Sequence, residues 1–149
     1  FDEALALAPA QGWPELRLSI RLERAALLDA GDAQAEWQAV AGAAATLGLR
    51  GLRLAALLRA APLDEAVPAL AEEVAPGPLY RGEVWLAPAR TLAAAGRLDA
   101  ARTLAERGWA WVQATAASQV PEAFVDGFLH RQPDNLALVT LARHGVTPA

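Results

Sequence analysis

Ala- and Leu-rich stretches interspersed with Arg and acidic residues run along most of this chain for several helical turns and are then cut by Gly, Pro or Asp. The pattern predicts helices at about Pro14 to Ala30, Asp32 to Leu47, Leu49 to Ala60, Leu63 to Val74, Arg81 to Ala95 and Leu98 to Ala117. Two short helices are expected at Pro121 to His130 and Pro133 to Arg143, each with proline in its first turn. Pro68 and Pro88 fall inside expected helices, and each should kink one or delay its start. Pro76 to Gly82 reads as a loop, and Phe1 to Ala8 as the tail of an earlier repeat. Strands find no support, because β-branched residues are scattered and only Val84-Trp85-Leu86 could alternate.

The helices come in repeating pairs. Leu98-Asp99-Ala100-Ala101, entered from Ala95-Gly96-Arg97, has a counterpart 35 residues earlier in Leu63-Asp64-Glu65-Ala66, entered from Ala60-Ala61-Pro62. Ala30-Gly31-Asp32-Ala33 is a weaker third copy. Gly31 and Gly96 suit the left-handed residue that ends a helix, and Asp32 or Asp99 can cap the next one. Pro62 stops its helix by another route. The expected organisation is all-α, one helical-repeat domain over residues 1-149. Its repeats lie at about 14-47, 49-75 and 81-117, with a short helical C-terminal cap at 120-144, and the whole reads as a fragment of a longer chain.

Leu92-Ala93-Ala94-Ala95-Gly96-Arg97-Leu98-Asp99-Ala100-Ala101 resembles a tetratricopeptide repeat turn, with Ala89, Ala101 and Gly108 where that family packs helices closely. The resemblance implies a right-handed α-solenoid. The first copy departs from the pattern, since Arg24 and Glu36 occupy usually small positions; either they pair or the register drifts there. A longer resemblance rests on Val84-Trp85-Leu86-Ala87, the Gly96 turn, Trp109-Ala110-Trp111-Val112 and the tail from Val120-Pro121-Glu122-Ala123-Phe124 through Gly127-Phe128-Leu129-His130-Arg131-Gln132-Pro133-Asp134-Asn135. It is similar to the C-terminal region of large bacterial signalling ATPases and transcriptional activators. That likeness implies a regulatory arm with neighbouring domains in the parent chain, and a cytoplasmic home.

Composition narrows the function classes. The net charge of −4 has the wrong sign for direct nucleic-acid binding, and no apolar run is long enough to span a bilayer. Without Cys there is no disulfide, thiolate metal site or cysteine nucleophile, and without Lys there is no Schiff base. His130 and His144 are the only histidines, and a metal would need a third converging ligand, so no metal and no cofactor are expected. Ser19 and Ser118 stand in no nucleophile motif. Asp64-Glu65 and Glu72-Glu73 diverge by about 100° on a helix, so neither pair forms an acid/base site; Asp64 and Glu65 fit the first turn of a helix instead. No catalytic residue is nominated.

Trp109 and Trp111 sit about 200° apart on a helix, so both are packed by different neighbours or one is exposed for a partner. Trp13, Trp37 and Trp85 read as core or capping aromatics. Phe124, Phe128 and Leu129 are expected to close the last open face, so that Phe128→Ala would cost about 3–5 kcal/mol. Arg17, Arg21 and Arg24 lie within about 60° of one another on one helix face, either a solvated stripe or a basic strip on a groove.

Aligning the three copies on Ala33, Leu63 and Leu98, and transferring the resembled family's inward positions, directs Arg21, Arg59 and Arg90 toward a concave groove. The alternative is that they pair with Glu23, Asp64 or Glu83. The expected function is therefore a non-catalytic protein-interaction scaffold for a protein or peptide, acidic if the arginine line is used. The competing reading is an effector sensor holding a small molecule between helices.

Overall fold

A computed structural model of the protein describes residues 12 to 144, and the expected repeat tail at Phe1 to Ala8 lies outside them. These residues form eight helices and no strand: α1 (Pro14–Ala25), α2 (Ala30–Thr46), α3 (Arg50–Ala60), α4 (Ala66–Glu73), α5 (Glu83–Ala94), α6 (Leu98–Gln119), α7 (Glu122–His130) and α8 (Pro133–His144). Val84-Trp85-Leu86 is helical, as its neighbours' helix-forming composition requires. The chain divides into two compact units, one ending at Tyr80 and the other starting at Arg81, inside the expected Pro76 to Gly82 loop.

In the first unit α2 packs against both α1 and α3, α1 touches α3, and α4 lies on α3. Leu18 and Leu22 of α1, Val40, Ala41 and Ala44 of α2, and Leu52, Ala55 and Ala56 of α3 form one buried cluster. Each fully buried Leu contributes about 1.5–3 kcal/mol of transfer free energy, and the alanines let the helix backbones approach. In the second unit α6 packs against α5 and α8, α5 touches α8, and α7 bridges α6 and α8. Its cluster joins Leu86 and Ala89 of α5, Ala105 and Val112 of α6, and Ala137, Leu138 and Leu141 of α8, flanked by half-buried Trp85, Trp109 and Trp111.

Local chemistry accounts for the helix ends, with corrections to the sequence expectation. Gly96 has φ 74° and ends α5 as expected. Gly31 does not end α1: it lies inside α2 with ordinary φ, and α1 stops at Ala25 through three successive i to i+3 bonds onto Glu23, Arg24 and Ala25 carbonyls. Such a tightened turn needs no left-handed residue. The cap positions of α2 and α6 are held by Asp29 and Arg97, so Asp32 and Asp99 belong to the first turns, where their charge favours the helix dipole. Asp64 and Glu65 precede α4, and the Asp64 carboxylate accepts the Ala66 N–H at 2.8 Å. Pro68 is therefore the third residue of α4, in a turn that lacks internal N–H partners anyway, and α5 runs on through the buried Pro88.

The helix starts also correct the alignment of the copies. Leu98 opens α6 and Leu63 lies in the turn before α4, whereas Ala33 is the fourth residue of α2. Ala33 thus corresponds to Ala101, the buried fourth residue of α6.

Candidate functional site

The charged residues singled out in the sequence gather mainly in the first unit. Arg21 projects from α1 beside the buried Leu22 and donates from Nε and Nη2 to the two carboxylate oxygens of Glu36 on α2, at 2.6 and 2.9 Å. The bond to Arg21 holds Glu36 below the ordinary glutamate range; partial burial opposes it, and the charges of Arg21 and Arg24 add to it. Arg21 is raised in turn, first by the same bond. The large residue Glu36 is therefore accommodated by pairing, with Arg21 as its bonded partner and the exposed Arg24 acting through its field.

Trp37, one residue on, is half-buried and donates its indole N–H to the Leu22 carbonyl at 3.1 Å. The Arg59 guanidinium of α3 lies 5.9 Å from the Trp37 ring centre, a cation–π distance, and 3.7 Å from the Glu23 carboxylate of α1. The Gln34 side-chain amide donates to the Ala60 carbonyl at the end of α3. Three helices are thus clamped around one indole by Arg21, Glu36, Arg59 and Glu23.

Between the first turns of α1 and the last turns of α2 lies a hollow of about 430 Å³ lined by Trp13, Arg17, Leu18, Arg21, Ala43 and Leu47. Its α1 members follow the spacing of one helix face, so of the Arg17, Arg21 and Arg24 strip read from the sequence the first two border a concave surface and Arg24 does not line it. Arg17 is exposed and enters no ion pair with any described residue. Trp13 is 56% exposed and stands at the N-cap position of α1, so of its two readings, core or capping aromatic, the core one is corrected.

Arg90 stands on α5 in the second unit, exposed and without an ion pair among the described residues. It follows the buried Ala89, whereas Arg21 precedes the buried Leu22, so the two arginines flank the buried stripes of their helices on opposite sides. The charge pairing weighed in the sequence is found for Arg59 with Glu23, and for Arg21 with a carboxylate the sequence reading had not assigned to it.

The tail holds the residue that sequence reasoning passed over. Asn135, fully buried in α8, donates from its side chain to the Phe128 carbonyl near the end of α7 at 2.7 Å. Its backbone N–H goes to the Gln132 side-chain oxygen at 2.7 Å, which caps α8. The signal was Gln132 just before Pro133, three positions ahead of an Asn. Phe124 is 67% exposed and does not help to close a face, while Phe128 and Leu129 are half-buried on the second cluster. Partly exposed rather than buried, Phe128 lacks the full burial on which the larger truncation cost was based.

Trp111 stacks on Trp85, ring centres 5.4 Å apart and planes 28° from parallel, and Trp109 packs on the same cluster. Both tryptophans of α6 therefore have packing roles. Ser118 donates to the Ala114 carbonyl within its own helix, and His130 pairs with Asp126 on the same helix at 3.2 Å. Among the described residues no three His, Asp or Glu side chains gather as a metal site would require, and no helix is long and apolar enough to cross a membrane. Neither the family models, nor the curated proteins, nor the solved structures compared with this chain include a match.

Proposed function

We propose that the chain is a non-catalytic protein-interaction scaffold, built as a tetratricopeptide-like array of helix pairs and serving as the regulatory repeat arm of a larger cytoplasmic bacterial signalling ATPase or transcriptional regulator. What supports the repeat reading is a packing relation found in each unit separately. A middle helix, α2 or α6, packs against two others that also touch each other, as the second helix of a pair does between successive first helices. The ATPase kinship itself rests on the sequence resemblance of the Trp-rich and tail segments.

The interaction surface of this reading is the Arg17–Arg21 side of α1 in the first unit, together with Arg59 on α3; Arg90 on α5, in the second unit, is a separate candidate contact. The single observation that carries it is the hollow beside Arg17, where a guanidinium with no ion pair among the described residues borders exposed Trp13 and Leu47 in a chain of net charge −4. A planar donor at an apolar rim recognises carboxylates, so the expected partner is an acidic protein or peptide. Arg21→Glu is a poor test, because it would set two carboxylates face to face at Glu36. Arg17→Glu combined with Arg90→Glu leaves both described ion pairs of the clamp intact. Capture of an acidic partner by the parent protein should fall with the double reversal and with rising salt. Salt-insensitive capture that survives it would reject the surface.

The same hollow favours one second reading, an effector sensor that takes a small apolar carboxylate. A thermal shift produced by such a compound without any protein partner, and lost in Arg17→Glu, would select the sensor over the scaffold.

A further inference from the structure

We infer that α7 is a strap that opens on its own, uncovering the last turns of α6 while the α5–α6–α8 core stays folded. Three observations converge on it. First, α7 alone among the eight helices contains no buried residue. Second, the core beneath it is joined directly as well, since α6 packs on α8 and on α5 and α5 touches α8, while α7 adds to the cluster only the partly buried Phe128 and Leu129. Third, α7 does not lie flush on α6: a hollow of about 480 Å³ separates them, bordered by Gln113, Ala116, Ala117 and Val120 on one side and Val125 and Leu129 on the other.

Its attachments are few. Phe128 and Leu129 rest on the cluster, and Asn135 holds the Phe128 carbonyl from α8. Phe124 faces water and adds nothing, and the Asp126 contacts to His130 and Arg131 are exposed and local. The helix has nine residues, fewer than the roughly 12–15 at which an isolated helix becomes marginally stable, so once detached it unwinds. Natural swivels bound it: the extended Val120 with Pro121 at one end, and Arg131-Gln132 before Pro133 at the other. The face it leaves, Gln113, Ala116, Ala117 and Val120, has the i, i+3, i+4, i+7 spacing on which another helix packs.

Native-state hydrogen exchange on the intact chain tests this. The amides of Asp126 to Arg131 should exchange about a hundredfold or more faster than the slowest amides of α6 and α8, with little dependence on low denaturant. Gly127 supplies a selective handle, because a Cβ there would meet no atom within 4 Å. Gly127→Ala should make α7 opening rarer by about fivefold, the helix-propensity difference, and leave α6 and α8 protection unchanged. Phe128→Ala should act in the opposite sense on the same amides. Equal protection and equal denaturant dependence in α7 and α8 would overturn the inference, as would a Gly127→Ala effect spread evenly over the unit.

Discussion

The second helices of the two units, α2 and α6, begin alike and are packed in different ways. Each has an acidic residue in its first turn and a buried alanine at its fourth position, Ala33 or Ala101. Further along they diverge. At positions seven and eight α2 carries Glu36 and Trp37, large residues satisfied by Arg21 and by the Leu22 carbonyl, whereas α6 carries Leu104 and the buried Ala105. At position eleven α2 has the buried Val40 and α6 has Gly108, where a Cβ would stand 2.8 Å from both Trp85 Cβ and Leu138 Cδ2. At these positions the first unit fills its interface from α2 and ties it with polar groups, whereas the second unit leaves room on α6 for Trp85 of α5 and Leu138 of α8. The difference lies in which helix supplies the bulk at matching positions.

The largest expected effects probe the two cores. Leu138→Ala should cost about 3–5 kcal/mol, because stiff aromatic neighbours cannot close the cavity, and Leu22→Ala about 2–4 kcal/mol. Chemical denaturation measures both, and the reverse order would break the comparison. Next come two glycines of opposite expected sign. Gly108→Ala should destabilise by about 1–3 kcal/mol through overpacking against Trp85 and Leu138. Gly42→Ala in α2, where nothing lies within 4 Å of the new Cβ, should stabilise by about 0.5–1 kcal/mol.

A smaller effect tests the polar clamp of the first unit. Glu36→Gln should cost about 1 kcal/mol. Since the folded state lowers the Glu36 pKa, its contribution is present above the ordinary glutamate range and is lost as pH falls through the lowered folded value. Acid titration of the thermal midpoint should show that slope in the parent protein and lose it in Glu36→Gln. The smallest effect belongs to the second unit: Phe124→Ser should shift stability by less than about 0.5 kcal/mol, as expected for a side chain that touches little.

Much of this fold was legible because apolar spacing and proline placement act locally. The eight helices, the Gly96 turn and the Pro62 stop follow from such signals, while the small residues Ala89, Ala101 and Gly108 were marked by the tetratricopeptide resemblance. The turn after α1 was misplaced because a 3₁₀-type finish leaves no glycine marker, so Gly31 drew the boundary five residues too late. That slip propagated into the alignment on Ala33. The Arg17–Arg21 strip was visible as helical spacing, and the hollow beside it was not, because hollows depend on the neighbour's side chains. The Glu36 partner and the Asn135 anchor were equally hidden, since each is a contact between helices that sequence spacing alone does not pair.

The Trp85–Trp111 stack also has an optical consequence. Two indoles 5.4 Å apart and nearly parallel are close enough for their excited states to couple. The second unit should therefore carry its own far-ultraviolet indole circular-dichroism couplet, to which Trp37 beneath Arg59, with no ring stacked on it among the described residues, does not contribute. That signal gives a label-free reading of whether α5 and α6 are packed in any variant, in dilute solution and without a partner being known.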